Sequence, residues 1–240
     1  MRSRRRIRHG SRRGSGTAVI ITAAGSSTRF GNSEKKEYYL AQNKPILVHT
    51  LEVFLHTGLF STLVITIPAG HKQKVTEILS PYINPLLVTL VAGGNSRQAS
   101  VHAGLDALDQ QANPPVNVLI HDGARPWVSS ALVRQVLDVT DSYGACIPVL
   151  DTVNALVRVD EQGQVVDYQD RNSIKAVQTP QGFHFATILE AHRQARAHGI
   201  QAVDDASLCC LVQQPVYTVP GELENVKITY RQDLENCGGL

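Results

Sequence analysis

The 240-residue chain has only four cysteines, and their placement excludes most of what cysteine does in proteins. Cys209 and Cys210 are adjacent while Cys146 and Cys237 stand alone, which matches neither the paired spacing of a zinc site nor a disulfide framework. The nine histidines are scattered without an H-E-x-x-H or comparable cluster, so no zinc or iron centre is expected. No apolar run approaches the ~20 residues needed to cross a bilayer, and the arginine-rich start lacks the apolar stretch of a secretory signal. A cytoplasmic protein with no membrane partner is expected. Aromatic residues make up 5% of the chain and none lies in the basic start, which argues against an RNA-stacking module there.

What is present is an apolar share of 42%, ordinary for a packed core, on a chain long enough for one sizeable α/β domain or two small ones. Disorder of the whole chain is excluded. Charge is divided unevenly: seven of the 23 basic residues and none of the 21 acidic ones fall within residues 1–16, which leaves the remainder at −5. A basic start broken by Gly and Ser cannot bury a core and is expected to be a disordered extension. Clustered Arg can neutralise phosphates, so a nucleotide- or RNA-binding module acting through this start is the competing reading from another class. The acidic body weighs against it, and no nucleic-acid partner is expected.

Past residue 16, short β-rich runs alternate with longer amphipathic segments. Strands are predicted at Ala18–Thr22, Leu63–Ile67, Leu86–Val91, Val116–Ile120 and Ala145–Val149, several of them apolar on both faces as in a covered sheet. Pro45 suits a first helical turn, after which Leu47, Leu51, Phe54, Leu55 and Gly58 fall on one face. Ser96 suits the cap of a helix bearing Val101, Leu105 and Leu108, and Ser129 or Ser130 the cap of one bearing Val133, Val136 and Leu137. The fold class that follows is α/β, doubly wound around a mainly parallel sheet. From Asp151 to Ala176 the pattern changes to two β-rich segments, Val153–Val159 and Val165–Tyr168, around a polar turn with Gly163. A ribbon of two strands is marginal alone, so it packs either on a second subunit or on its own domain.

Three loops follow predicted strands and carry chemistry. Ala23-Ala24-Gly25-Ser26-Ser27-Thr28-Arg29 follows the first strand, where open α/β sheets bind ligands, and small residues there let backbone N–H groups approach phosphate. It is neither a Walker A loop nor a G-x-G-x-x-G fingerprint, and it adds fixed positive charge at Arg29 and Lys36. Gly93-Gly94-Asn95-Ser96 opens a helix after another strand, a place for a base, ribose or phosphate. His121-Asp122-Gly123-Ala124-Arg125-Pro126 ends a third, putting a carboxylate suited to Mg²⁺ beside a guanidinium suited to phosphate.

In order along the chain stand A-A-G-x-x-x-R, K-x-Y, G-G-x-x-R-x-x-S, H-D-x-A-R-P, D-T, D-R-N, T-P-Q, D-D-A-S and E-N-x-K. With these motifs the chain resembles the 2-C-methyl-D-erythritol 4-phosphate cytidylyltransferases of the non-mevalonate isoprenoid route, from about Thr17 to about Leu234. The resemblance implies a Rossmann-like nucleotidyltransferase domain over 17–234, with a β-arm at about 151–175 and a short tail at 235–240. It implies cytidylyl transfer from CTP to the sugar-alcohol phosphate with release of pyrophosphate and a divalent cation, Mg²⁺ or another. Arg29 and Lys36 would stabilise charge at the α-phosphate. Ala23, Ala24, Gly25, Gly94, Asn95 and Ser100 would cradle CTP. Asp122 would bind the metal with Glu224 as a second contact, and Lys227 would orient the attacking phosphate and neutralise the nucleotide. Arg125 and Thr179 would face the second substrate, joined by Thr152 and Arg171 from the arm of a partner subunit in a homodimer. The chain departs from the family pattern at Lys35, commonly Pro, at Asn95, often Asp, and at Gly123, commonly Ala. Glu37-Tyr38 after Lys36 favours Lys36 over Lys35 as the catalytic lysine. The related cytidylyltransferases of ribitol 5-phosphate share the CTP half of the reaction and are the alternative within enzymes.

Overall fold

The computed structural model of the chain describes residues 16–25, 30 and 35–237. The basic extension and Arg29 lie outside them. The first half contains β1 (Thr17–Thr22), β2 (Leu40–Ala41), β3 (Lys44–Pro45), α1 (Ile46–Thr57), β4 (Phe60–Ile67), α2 (Lys72–Leu79), β5 (Thr89–Ala92), α3 (Arg97–Asp109) and β6 (Asn117–Asp122). The second contains α4 (Ser130–Tyr143), β7 (Ala145–Asp151), β8 (Leu156–Val159), β9 (Val165–Gln169), β10 (Lys175–Val177), β11 (Gln181–His184), α5 (Phe185–Ala197), β12 (Tyr217–Pro220) and α6 (Arg231–Cys237).

The main sheet runs β10-β7-β11-β6-β1-β4-β5, with β12 also paired to β7. Strands β6, β1, β4 and β5 are mutually parallel, and β11 enters antiparallel between β6 and β7. The sheet is therefore mixed, with the parallel half carrying the three loops. Alternation along β1 explains its all-apolar run: Val19 and Ile21 pack under α1, α2 and α4, while Ala18 and Ile20 pack under α3 and α5. Both faces are covered, and each carries its own cluster of buried apolar side chains. The chain leaves β1 for β4 on one side and later places β6 on the other, so the crevice at the carboxyl end of β1 is the topological switch point. Register puts Thr22 opposite Asp122 at that edge.

Local chemistry sets several boundaries. Ser96 and Ser129 accept the backbone N–H groups of Ala99 and Leu132, so Ser129 rather than Ser130 caps α4. Gly58 is not on the face of α1 but just past its end, left-handed at φ +65°, where glycine has no Cβ to strain. The strand expected from Leu86 starts at Thr89, because Pro85 and the Asn84 side chain, which accepts the Leu86 N–H, wind Pro85–Leu87 into a 3₁₀ turn. Gly182 lets β11 lie directly beneath α4, since a Cβ there would fall 2.1 Å from Thr140 Oγ1. The ribbon is present as β8 and β9, which pair only with each other, and its first strand starts at Leu156 rather than Val153. Its exposed side chains include Val157, Val159, Val165, Val166 and Tyr168, an apolar surface that its own domain does not cover.

Candidate active site

The carboxyl edge of the parallel strands opens into a cleft of about 530 Å³. Its walls are Ala24 and Gly25 after β1, Asn95, Ser96, Arg97 and Ser100 at the start of α3, Asp122 and Ala124 after β6, and Lys35, Lys36 and Lys227 from elsewhere in the chain. Small residues are required where the loops meet. A Cβ on Gly93 would lie 2.5 Å from that of Ala24, and one on Gly94 would lie 2.5 Å from that of Ala99. The N-terminus of α3 therefore stands against the loop after β1, with backbone exposed to the cleft, an arrangement that favours anions.

At the cleft floor Asp122 is buried and surrounded by cations. Arg97 Nε donates to Oδ1 at 3.0 Å, Lys227 Nζ lies 2.8 Å from Oδ2, and Arg125 Nε lies 3.5 Å from Oδ2. Burial alone would raise the Asp122 pKa, but the positive charges of Arg97, Lys227 and Arg125 outweigh it and hold the carboxyl well below its ordinary range. Arg97 also reaches backward, with Nη1 donating to Asp205 Oδ2 at 2.6 Å. Burial likewise opposes ionisation of Asp205, and Arg97 and His192 hold its pKa low.

A second set of bonds fixes the loop after β6. The Asp122 N–H donates to Thr179 Oγ1 at 3.1 Å, and Thr179 Oγ1 lies 3.0 Å from His121 Nδ1. The other ring nitrogen, Nε2, lies 3.0 Å from the Arg125 carbonyl, which can only accept. His121 therefore carries its proton on Nε2 and accepts from Thr179 at Nδ1, the neutral tautomer. Complete burial agrees with this, pushing its pKa down to about 4. Arg125 Nη1 donates to the Asn225 carbonyl at 2.7 Å, and Asn225 Nδ2 donates to the Thr179 carbonyl at 2.8 Å. Three segments far apart in sequence are thus one buried polar network.

Residues 17–238 match the family profile of 2-C-methyl-D-erythritol 4-phosphate cytidylyltransferase. The protein of that name from Bacillus cereus is 38% identical over 219 residues, covering 90% of this chain and 93% of its own. Among solved structures, the Thermus thermophilus 2-C-methyl-D-erythritol 4-phosphate cytidylyltransferase has a TM-score of 0.75 at 33% identity, covering 93% of this chain and 98% of that one. The 4-diphosphocytidyl-2C-methyl-D-erythritol synthase of Anaerococcus prevotii has a TM-score of 0.82 at 25% identity, covering 94% and 97%. This chain belongs to the 2-C-methyl-D-erythritol 4-phosphate cytidylyltransferase family.

The chain is accordingly a nucleotidyltransferase, and its cleft holds much of the set expected from the sequence. Ala24, Gly25, Lys36, Gly94, Asn95, Ser100, Asp122 and Lys227 all line it, and Ala23 is buried directly behind. Lys36 donates to the Ile228 carbonyl at 2.6 Å, while Lys35 bonds the carbonyls of Ala24 and Gly25 and so ties down the loop after β1. Arg125 and Thr179 stand one layer deeper, in the network under Asp122, and not in the cleft wall. Thr152 and Arg171 are on the arm segment and do not line this cleft. Glu224 is exposed in the turn before Lys227 and also lies outside the lining residues. Arg97, Asp205 and His121 carry no role from sequence alone, although they stand within G-G-x-x-R-x-x-S, D-D-A-S and H-D-x-A-R-P respectively. His121 adjoins the assigned carboxylate Asp122, which was the signal available for it, whereas Arg97 and Asp205 are linked only by the fold. Among the described residues no helix is long and apolar enough to cross a membrane.

His121 makes stability depend on pH. Its native pKa near 4 lies below the ordinary 6.5, so the unfolded chain binds the proton first, and the contribution is complete above pH 6.5 and lost as pH falls toward 4. Urea unfolding should show that contribution, on the order of 3 kcal/mol, disappear across this window. A His121→Gln variant should have a shallower slope there by about one proton, and an unchanged slope would remove His121 from the account.

Proposed function

We propose that this chain transfers the cytidylyl group of CTP to 2-C-methyl-D-erythritol 4-phosphate, with release of pyrophosphate, and that it does so through the cation cluster around Asp122. The observation carrying this reading is one cleft with small-residue loops for a nucleotide on one side and a carboxylate matched by Arg97, Arg125 and Lys227 on the other. An oxygen of the acceptor's phosphate attacks the α-phosphorus in line as pyrophosphate departs. The attacking monoester is already ionised near neutral pH, so no side chain must remove a proton. What the protein supplies is position and positive charge. Lys36 and Lys227 line the cleft, and Arg29, outside the described residues, follows β1 in sequence and is assigned to the same charge.

The residues fit a divalent cation. Mg²⁺ is commonly held by one or two carboxylates together with substrate phosphates, and Asp122 is a carboxylate kept ionised at the cleft floor. Among the described residues no group of three or more His, Cys, Asp and Glu side chains offers a fuller cage, so the fit rests on Asp122 with the nucleotide. When bound, the cation would neutralise phosphate charge in the transition state. Asp122 would hold it, and Lys227, now 2.8 Å from Asp122 Oδ2, would supply positive charge toward the phosphates.

The arm supports a homodimer. Thr152 Oγ1 is buried without a hydrogen-bond partner, Arg171 is exposed, and the two flank a ribbon whose apolar surface needs a cover. In this reading they complete the acceptor site of the neighbouring subunit.

Pyrophosphate release with CTP and Mg²⁺ tests the reaction. Turnover is expected with methylerythritol 4-phosphate and not with ribitol 5-phosphate or without acceptor. Turnover with ribitol 5-phosphate alone would overturn the acceptor. Sharing of residues between subunits is tested by co-expressing Lys36→Ala and Arg171→Ala chains, each inactive alone. Random pairing of two-fold dimers should recover about a quarter of the parent activity, and a mixture no more active than either variant would show that Arg171 does not act in the neighbouring subunit's site.

A further inference from the structure

Behind the cleft wall, on the side away from the cleft, a second charged chain leads inward from Arg97. Its guanidinium links two carboxylates, through Nε to Asp122 and through Nη1 to Asp205. Asp205 is 1% exposed, and its other oxygen, Oδ1, lies 3.1 Å from Nε2 of His192 on α5, itself 1% exposed. A carboxylate oxygen only accepts, so His192 Nε2 carries a proton and donates it to this bond.

We infer that His192 and Asp205 are positioning residues for cytidylyl transfer: the His192 imidazole sets Asp205, which holds Arg97 in the orientation that places Nε on Asp122. The inference rests on the proposed function for its consequence in turnover, while the geometry stands without it. The argument is one of torsional freedom. Arg has a long side chain with considerable rotamer entropy, and a guanidinium tied at one edge alone pivots. Tied at both edges to buried carboxylates, its fork has one orientation. Asp205 in turn is fixed on both oxygens, by Arg97 and by His192. The loop that carries it is also stapled, because Gln181 Oε1 accepts the Ala206 N–H at 3.1 Å and Gln181 Nε2 donates to Asp204 at 2.8 Å. The T-P-Q and D-D-A-S segments therefore meet to aim an arginine that neither contains. Without Asp205, Asp122 would be the sole carboxylate holding Arg97, and the guanidinium would swing into the space where phosphates enter.

The direct readout is solvent exchange of the Arg97 Nε–H, observed by ¹⁵N-correlated NMR and assigned by its loss in Arg97→Lys. Losing the bond from His192 to the carboxylate in His192→Leu, or the charge that Arg97 pairs with in Asp205→Asn, should speed exchange by about tenfold or more. His192→Gln, whose amide can donate from nearly the same place, should stay within about threefold of the parent. Turnover with CTP and methylerythritol 4-phosphate should follow the same order, with kcat falling about tenfold in the first two variants and the KM for CTP moving much less. Circular dichroism identifies a variant that has not folded, and Asp205→Asn decides the matter should His192→Leu fail. Unchanged Arg97 exchange in a folded His192→Leu or Asp205→Asn protein would overturn the inference, as would His192→Gln behaving like His192→Leu. If the parent turns over no acceptor, the proposed reaction falls and the exchange rates still decide the positioning role.

Discussion

The site depends on one buried negative charge. Asp122 lies at the end of a fully covered strand, where a lone carboxylate would be neutralised by protonation. It stays ionised because Arg97, Arg125 and Lys227 reach it from three separate parts of the chain. The carboxylate in turn offsets the repulsion among these three cations, two of which, Arg97 and Lys227, line the cleft. The parallel strands place the carboxylate at the sheet edge, and the carboxylate then brings α3, the loop after β6 and the segment after β12 into register around it.

The same balance suits a reaction between two anions. A cleft with free cations would bind phosphate tightly at every stage, and one lined by carboxylates would repel it. In the proposed reaction these cations would exchange part of their contact with the carboxylate for substrate phosphates, so the positive charge would already be in place when the nucleotide enters. The neutral His121 and Thr179 keep the backbone at Asp122 fixed, and the pairing of Arg97 with Asp205 keeps that cation from collapsing into the cleft.

Much of the fold was legible because its physics is local. Apolar runs on both faces announced covered strands, and Ser96 announced a cap. Elements that depend on distant partners were not legible. Strand β11, Gln181–His184, has a glycine and little apolar length, and it exists because Gly182 fits beneath Thr140 of α4. The cleft residues were found through glycine-rich loops at strand ends. The hydroxyl of Thr179, a residue assigned to the second substrate by its motif, accepts the Asp122 N–H 57 residues away, a bond that no spacing announces. Arg97 and Asp205 are 108 residues apart, and no spacing rule connects them. Motifs show which residues are used, whereas a buried network shows what each one holds.

The most direct test of this account is the urea-unfolding stability of Asp122→Asn against the parent at neutral pH, without nucleotide or metal. If the carboxylate is what assembles the cations, neutralising it leaves their charges facing one another, and stability should fall by about 3 kcal/mol or more. An Asp122→Asn protein as stable as the parent, or more stable, would show that the cations are placed by the fold alone and would contradict the account.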